Sequence, residues 1–315
     1  MKNQSISLVE LGDFEPDRVN ARRMFMYSTT ALKAAEVVDK LCVNYPQFKA
    51  AFEAMDRAFQ LAGVLSTPQG ITITGDRGMG LSTAGSYFSK SLPQSATFDR
   101  PYAALTVHLA KNPTAGSIIE PLLAAVDHPF PMTTASRMQQ KRRVLEDALR
   151  QRRTKMLIVD NAEYLLSQRA LSRTDRAGTN CTAVLRYLMD EVPLSVVLLG
   201  DISREDIRRI DEAFADRLNV TVRLDRFAIG PSWSAFIRAF VKQCRSIDLS
   251  ALVSDDEIRR LHDITAGSLR AFKHLVLEAV LVAHDAPAQS VSIDHLRLAF
   301  DRAFRGLRES NPYGC

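Results

Sequence analysis

The chain has 315 residues, 46% hydrophobic and 24% charged, the balance of an ordinary globular protein with room for one large domain or two modest ones. No apolar run reaches the ~20 residues of a membrane span, and the polar, acidic segment Met1–Pro16 predicts no secretory leader. A net charge of +5 with a pI near 9.1 permits contact with nucleic acid without requiring it.

Read in chain order, residues 1–30 form a polar N-terminal arm, followed by two stretches of helical periodicity, Thr30–Leu41 and Phe48–Ala62. Gly70-Ile-Thr-Ile-Thr-Gly75 is a short β-branched run closed by glycines and predicts a buried strand. A helix over Thr83–Leu92, a strand over Tyr102–Leu109 and a helix over Gly116–Val126 follow. Ser136–Arg153 reads as a strongly basic helix and Lys155–Asp160 as a strand ending in an acid. Thr182–Glu191 is helical, and Ser195–Gly200 and Val220–Leu224 are apolar strands. Alternation at this spacing implies βαβ units and a parallel sheet. Beyond Gly230-Pro231 only helical patterns remain, at Ser234–Arg245, Asp255–Ile264, Leu269–Ala283 and Ile293–Phe304. The expected class is α/β, with a parallel-sheet domain over 31–230 and a small helical domain over 231–315. Cys42, Cys181, Cys244 and Cys315 lie far apart without CxxC spacing, which predicts free thiols in a reducing, cytoplasmic setting.

The most informative stretch is Gly75-Asp76-Arg77-Gly78-Met79-Gly80-Leu81-Ser82-Thr83. It follows a predicted strand, opens a predicted helix, and fits the phosphate-loop pattern GxxxxGK[ST] except that Leu81 replaces the lysine. Such glycines let backbone N–H groups converge on phosphate oxygens, and the helix N-terminus adds its dipole. Ser82 occupies the place of a Mg²⁺-ligating hydroxyl, so the pattern predicts an ATP–Mg²⁺ site whose charge neutralisation is impaired. The strand Met156-Leu-Ile-Val-Asp160 supplies a second acid for the metal's water shell. Asn161 then stands where a glutamate would polarise the attacking water. Glu163 either substitutes for it or, the favoured reading, is a surface residue. Asp201, after the third strand, stands where a sensor residue would approach phosphate, an arrangement that needs a metal or an arginine nearby.

These segments together resemble the TniB and TnsC transposition regulators, a branch of the AAA+ ATPases, over about Leu32–Ala283. The resemblance rests on Gly75-Asp76, on Gln139-Gln-Lys-Arg-Arg-Val-Leu leading into Met156–Asp160, and on Leu185-Arg-Tyr-Leu-Met-Asp-Glu-Val-Pro before Val196–Gly200. Ala215-Asp-Arg217 and Asp256–Gly267 carry it further. It implies a P-loop AAA+ core with a C-terminal helical lid, in proteins that form ATP-dependent homo-oligomeric rings or filaments on double-stranded DNA. It also implies partners, a transposase and target-selection proteins. Arg217 is then either a finger for a neighbour's nucleotide or a solvated arginine, and Arg270 of Gly267-Ser-Leu-Arg270 either a lid sensor or an ordinary helix start. Leu81, Asn161 and Asp201 depart from the family pattern, which leaves four expectations: a DNA-bound regulator with little turnover, a slow ATPase using Arg77 or a neighbour in place of lysine, a nucleotide-free adaptor, or, less favoured because the similarity is concentrated in TniB-like segments, an AAA+ loader of DNA repair or replication. Lys141, Arg142 and Arg143 on the basic helix, with Lys111 in the loop after the second strand, are the candidate DNA contacts. The alternative for the helix is a solvated charged face.

Overall fold

The computed structural model describes residues 27–92, 100–132, 137–170, 180–286, 288–304 and 310–314. Two helices come first. α1 (Thr29–Lys40) is capped by the Ser28 hydroxyl, which accepts from Ala31 N, and α2 (Pro46–Leu61) places a proline in its first turn, where the missing N–H costs nothing. β1 (Gly70–Gly75) is buried along its whole length, and α3 (Leu81–Ser91) follows at once. The helical turn α4 (Arg100–Ala103) leads into β2 (Ala104–His108). Then come α5 (Gly116–Ala125), α6 (Met138–Gln151) and β3 (Met156–Asp160). A 3-10 segment (Ala162–Ala170) and α7 (Cys181–Glu191) precede β4 (Ser195–Leu199). Two short helices, α8 (Arg204–Arg208) and α9 (Glu212–Ala215), precede β5 (Leu218–Leu224).

All five strands are parallel, in the order β2-β3-β4-β1-β5. Strands covered on both faces read as continuous apolar runs, as β3 and β4 do here, whereas β1 is buried throughout although it alternates isoleucine with threonine. Leu105, Val107, Leu157, Val159, Val196 and Leu198 share one core cluster with apolar residues of α5, α6 and α7. α2 and α3 also pack on the sheet, with Gly85 of α3 set directly against Leu199 and Ile158.

After β5 the described chain is helical: α10 (Pro231–Gln243), a 3-10 turn (Ser250–Val253), α11 (Asp255–Thr265), α12 (Leu269–Asp285) and α13 (Ile293–Phe304). Two compact units are present. One comprises 42–237 with 258–272, and the other 27–41, 238–257 and the described residues from 273 onward. In the first unit the start of α10 places Trp233 among Phe227, Phe236, His262 and Phe272, with its indole N–H donating to Ile258 O at 2.9 Å. In the second, Tyr27 donates to Glu278 Oε2 at 3.0 Å and Lys273 to the Asp39 carbonyl.

No helix among the described residues is long and apolar enough to cross a membrane. Cys42, Cys181 and Cys244 are free thiols, as expected, while Cys315 lies outside the described residues. The two helices α8 and α9 were not legible in the sequence, because each is barely a turn long and is fixed by caps. Ser203 and Asp206 form a reciprocal capping box, and Asp211 accepts from Phe214 N.

Trp233 is the only tryptophan and is fully buried. Trp233→Ala is expected to cost about 3–5 kcal/mol through the cavity it leaves. Urea denaturation followed by far-UV circular dichroism would check this; a loss below ~1 kcal/mol would show that the cluster collapses around the gap.

Candidate functional site

Insertion of β4 between β1 and β3 aligns three strand ends. Ile73 pairs with Leu199 and Leu199 with Asp160, so β4 and β3 end level while β1 runs two residues further, to Gly75, along the same edge of the sheet. The carboxyl ends of parallel strands are where open α/β sheets take their ligands.

The first segment to leave that edge is the loop 76–80. Gly78 and Gly80 adopt φ of 88° and 87°, the left-handed region that glycine enters without strain. The turn is closed by Met79 N to Asp76 O (3.2 Å) and Ala84 N to Gly80 O (2.8 Å). The N–H groups of Gly78, Gly80, Leu81, Ser82 and Thr83 have no acceptor among the described residues. That cluster, at the start of an 11-residue helix, is the cradle a phosphate requires. Two contacts hold it. The Tyr45 hydroxyl donates to Met79 O at 3.1 Å, and its burial pushes the phenol well above its ordinary range. Arg270 N donates to Gly78 O at 2.9 Å. A Cβ on Gly78 would lie 2.9 Å from Ser268 Oγ and 3.0 Å from Arg270 Cβ, so the start of α12 rests directly on the loop. Leu81 is half-buried, and Ser82 and Thr83 are exposed.

Among cations, Arg77 is exposed, and Arg226 reaches Asp76 through its backbone N–H (3.4 Å) and Nε (3.9 Å). Arg223, absent from the sequence reading, stands opposite Thr74 on β5. Its guanidinium is pushed above its ordinary value by the Asp225 hydrogen bond, with further attraction from Asp76 and Asp201.

On β3, Asp160 is 95% buried; its Oδ2 lies 3.1 Å from His108 Nδ1 and its Oδ1 accepts from Asn161 N at 3.0 Å. His108 sits directly across from it in register. Asn161 has a left-handed φ of 57°, and its amide donates to Leu109 O at 3.2 Å, so it bridges β2 and β3. Glu163, read from sequence as a surface residue, is half-buried. Its Oε2 is buried without a hydrogen-bond partner, and a Cβ on Gly200 would lie 2.3 Å from it.

Arg217 is not a solvated arginine. Its Nε and Nη2 both donate to Asp190 Oδ1 (3.1 and 2.7 Å), and its Nη1 donates to Ala213 O (2.6 Å). Asp216 lies 3.6 Å from Arg204 and 3.7 Å from Arg208.

The basic helix is α6, and much of its charge is already engaged. Lys141 donates to the Phe130 carbonyl, Arg142 stacks 3.7 Å above the Tyr187 ring, and Arg150 pairs with Glu146. Burial, then the Glu146 hydrogen bond, raises the Tyr187 phenol above its ordinary value. Arg143 and Arg137 are exposed, as is Lys111, whose loop is tied to the 3-10 segment by Asn112 N donating to Ser167 Oγ (3.2 Å). Of the four candidate DNA contacts, only Arg143 and Lys111 present their charge openly.

A family model described as "Bacterial TniB protein" matches residues 33–228. No curated protein matches the chain. Among solved structures, the Aeropyrum pernix ORC2 protein in its ADPNP–ADP complexes is similar with a TM-score of 0.61 at 16% identity, covering 87% of this chain and 72% of that one. The Aeropyrum pernix ORC1 protein in complex with DNA is similar with a TM-score of 0.60 at 13% identity, covering 86% and 69%. Cdc6p from Pyrobaculum aerophilum is similar with a TM-score of 0.60 at 14% identity, covering 87% and 72%. These likenesses identify the fold as a P-loop AAA+ core followed by a helical region.

Gly78→Ala is expected to be destabilising, because alanine pays about 1–2 kcal/mol in the left-handed region and its methyl meets Ser268 and Arg270. Thermal melting should fall by roughly 3–8 °C. An unchanged melting temperature would mean that the start of α12 yields freely.

Proposed function

The chain belongs to the TniB family, and we propose that it is a nucleotide-binding AAA+ regulator of DNA transposition with slow turnover. In this reading it assembles on double-stranded DNA as a homo-oligomeric ring or filament and links that DNA to a transposase and target-selection proteins. The observation that carries nucleotide binding is the cradle itself, five unpartnered N–H groups converging at the start of α3. ATP fits this donor set, and bound there it would supply the phosphoanhydride bond. Gly78 and residues 80–83 would hold the phosphates by backbone donation. Arg270, anchored to Gly78, supplies a cation on the loop that Leu81 no longer provides. Ser82 and Asp160 hold the water shell of a Mg²⁺ ion; Asp160 must exchange its contact with His108 to do so.

Hydrolysis is slowed at two points. Leu81 contributes no charge to the β and γ oxygens, and the Asn161 amide is committed to Leu109 O. An assembled neighbour would receive Arg217 only after its two bonds to Asp190 are released, so oligomerisation carries an exchange cost. DNA contact is sequence-independent, through phosphates, because the exposed cations are not interleaved with base-stacking aromatics. The DNA complex and the bound nucleotides of the similar structures support this reading by analogy of fold.

Calorimetry with MgATP, with and without duplex DNA, tests the reading. Binding is expected, strengthened by DNA, and Leu81→Lys should tighten it by roughly tenfold, the worth of one charge-assisted contact. Absence of binding in both proteins would leave the nucleotide-free adaptor as the correct class. For DNA, Arg143→Gln with Lys111→Gln should lower affinity for every duplex alike and reduce the slope of log K against log salt by about one unit per lost phosphate contact. An unchanged slope would remove both residues from the interface.

A further inference from the structure

Among the described residues, Glu163 is the one carboxylate with a buried side-chain oxygen that lacks a hydrogen-bond partner, and the site as described so far makes no use of it. It stands in the first turn of the 3-10 segment that follows β3, three residues beyond Asp160. Its Oε2 is buried and unpartnered. It occupies the space beside Gly200, where any Cβ would meet Oε2 at 2.3 Å, Ala162 N at 2.9 Å and Glu163 N at 3.0 Å. Gly200 immediately follows β4, and its own N–H is bound to Ile73 O of β1 at 3.2 Å. The carboxylate thus lies beside the ends of β3 and β4, on the edge from which the phosphate loop departs.

A buried acceptor left unpaired bears its full desolvation penalty, so this arrangement is expensive unless a donor fills it in the working state. Asn161 cannot be that donor, since its amide is turned to Leu109 O on β2. A water molecule can be. We propose that Glu163 is the residue that activates the attacking water, in the role vacated at Asn161, and that Gly200 is glycine to admit it. This inference rests on the nucleotide-binding reading above. Glu163 accepts a hydrogen bond from the water and takes its proton as the water oxygen's electron pair forms the new bond to the terminal phosphorus. The bridging P–O bond breaks, and its electron pair leaves on ADP. The proton then passes to solvent with the released phosphate, so the carboxylate is regenerated.

The experiment uses the full chain with MgATP and compares wild type, Glu163→Gln, Glu163→Asp and Asn161→Ala. Three quantities are read: affinity by calorimetry, turnover by phosphate release, and the identity of the bound nucleotide after prolonged incubation. Wild type is expected to turn over slowly and to retain mostly ADP. Glu163→Gln should bind MgATP within about twofold of wild type, lose roughly 100-fold in turnover, and retain ATP instead of ADP. Glu163→Asp, which keeps the charge but shortens the reach, should fall between them, and Asn161→Ala, which leaves Glu163 in place, should still convert its bound ATP to ADP. A bystander role for Glu163 predicts the opposite pattern: unchanged turnover in Glu163→Gln, and ADP still in the site. Either that pattern, or bound ATP that wild type does not cleave, overturns the assignment. Failure of all four proteins to bind MgATP would instead defeat the nucleotide reading on which the proposal stands.

Discussion

Everything at the candidate site depends on β4 being hydrogen-bonded between β1 and β3. That insertion brings residues far apart in sequence into one register, so that Ile73, Leu199 and Asp160 lie level and the segments that follow the three strands share one edge. Parallel strands buried on both faces cannot slip by a residue without moving their whole apolar set. The alignment is therefore held by the entire core, through Leu157, Val159, Val196 and Leu198, and not by the loops that carry the polar groups. The loops inherit their precision from it.

The phosphate loop illustrates how little of its own structure it has to supply. Two of its carbonyls are taken by outside donors, Met79 by Tyr45 and Gly78 by Arg270. Each of those donors is in turn fixed by the aromatic cluster. Tyr45 packs edge-on against Phe227 and Phe236, and Phe236 lies against Phe272, two residues beyond Arg270. With its carbonyls satisfied from behind, the loop leaves its N–H groups facing forward. The loss of the lysine at Leu81 thus removes charge without removing geometry, because the glycine conformations and their supports do not involve that side chain.

Local pattern and long-range contact divided the legibility of this chain sharply. The strands, the Gly75–Thr83 loop and Asp160 were readable because each is declared by consecutive residues: a β-branched run, glycines at fixed spacing, an acid ending an apolar strand. What escaped notice was every role fixed by a partner far away in sequence. Nothing near Arg217 announces that Asp190 will hold it, and nothing near Lys141 or Arg142 announces Phe130 or Tyr187. A charged residue's sequence gives its chemistry but not its availability. Glu163 was misjudged as a surface residue for the same reason, since its burial is set by Gly200, which lies on the next strand. Arg223 was hidden by its setting on an exposed edge strand, where alternation makes a charged residue unremarkable.

The contact between Gly200 and Glu163 also constrains the routes by which this lineage can change. Any side chain at position 200 would collide with the carboxylate and with the backbone beneath it, whereas a smaller residue at 163 relieves only the first of those overlaps. Substitutions at the two positions are therefore ordered: 163 can vary while 200 remains glycine, but 200 can enlarge only after 163 has shrunk and the turn at Ala162 has shifted. An ancestor with a side chain at 200 could not have acquired this glutamate in one step.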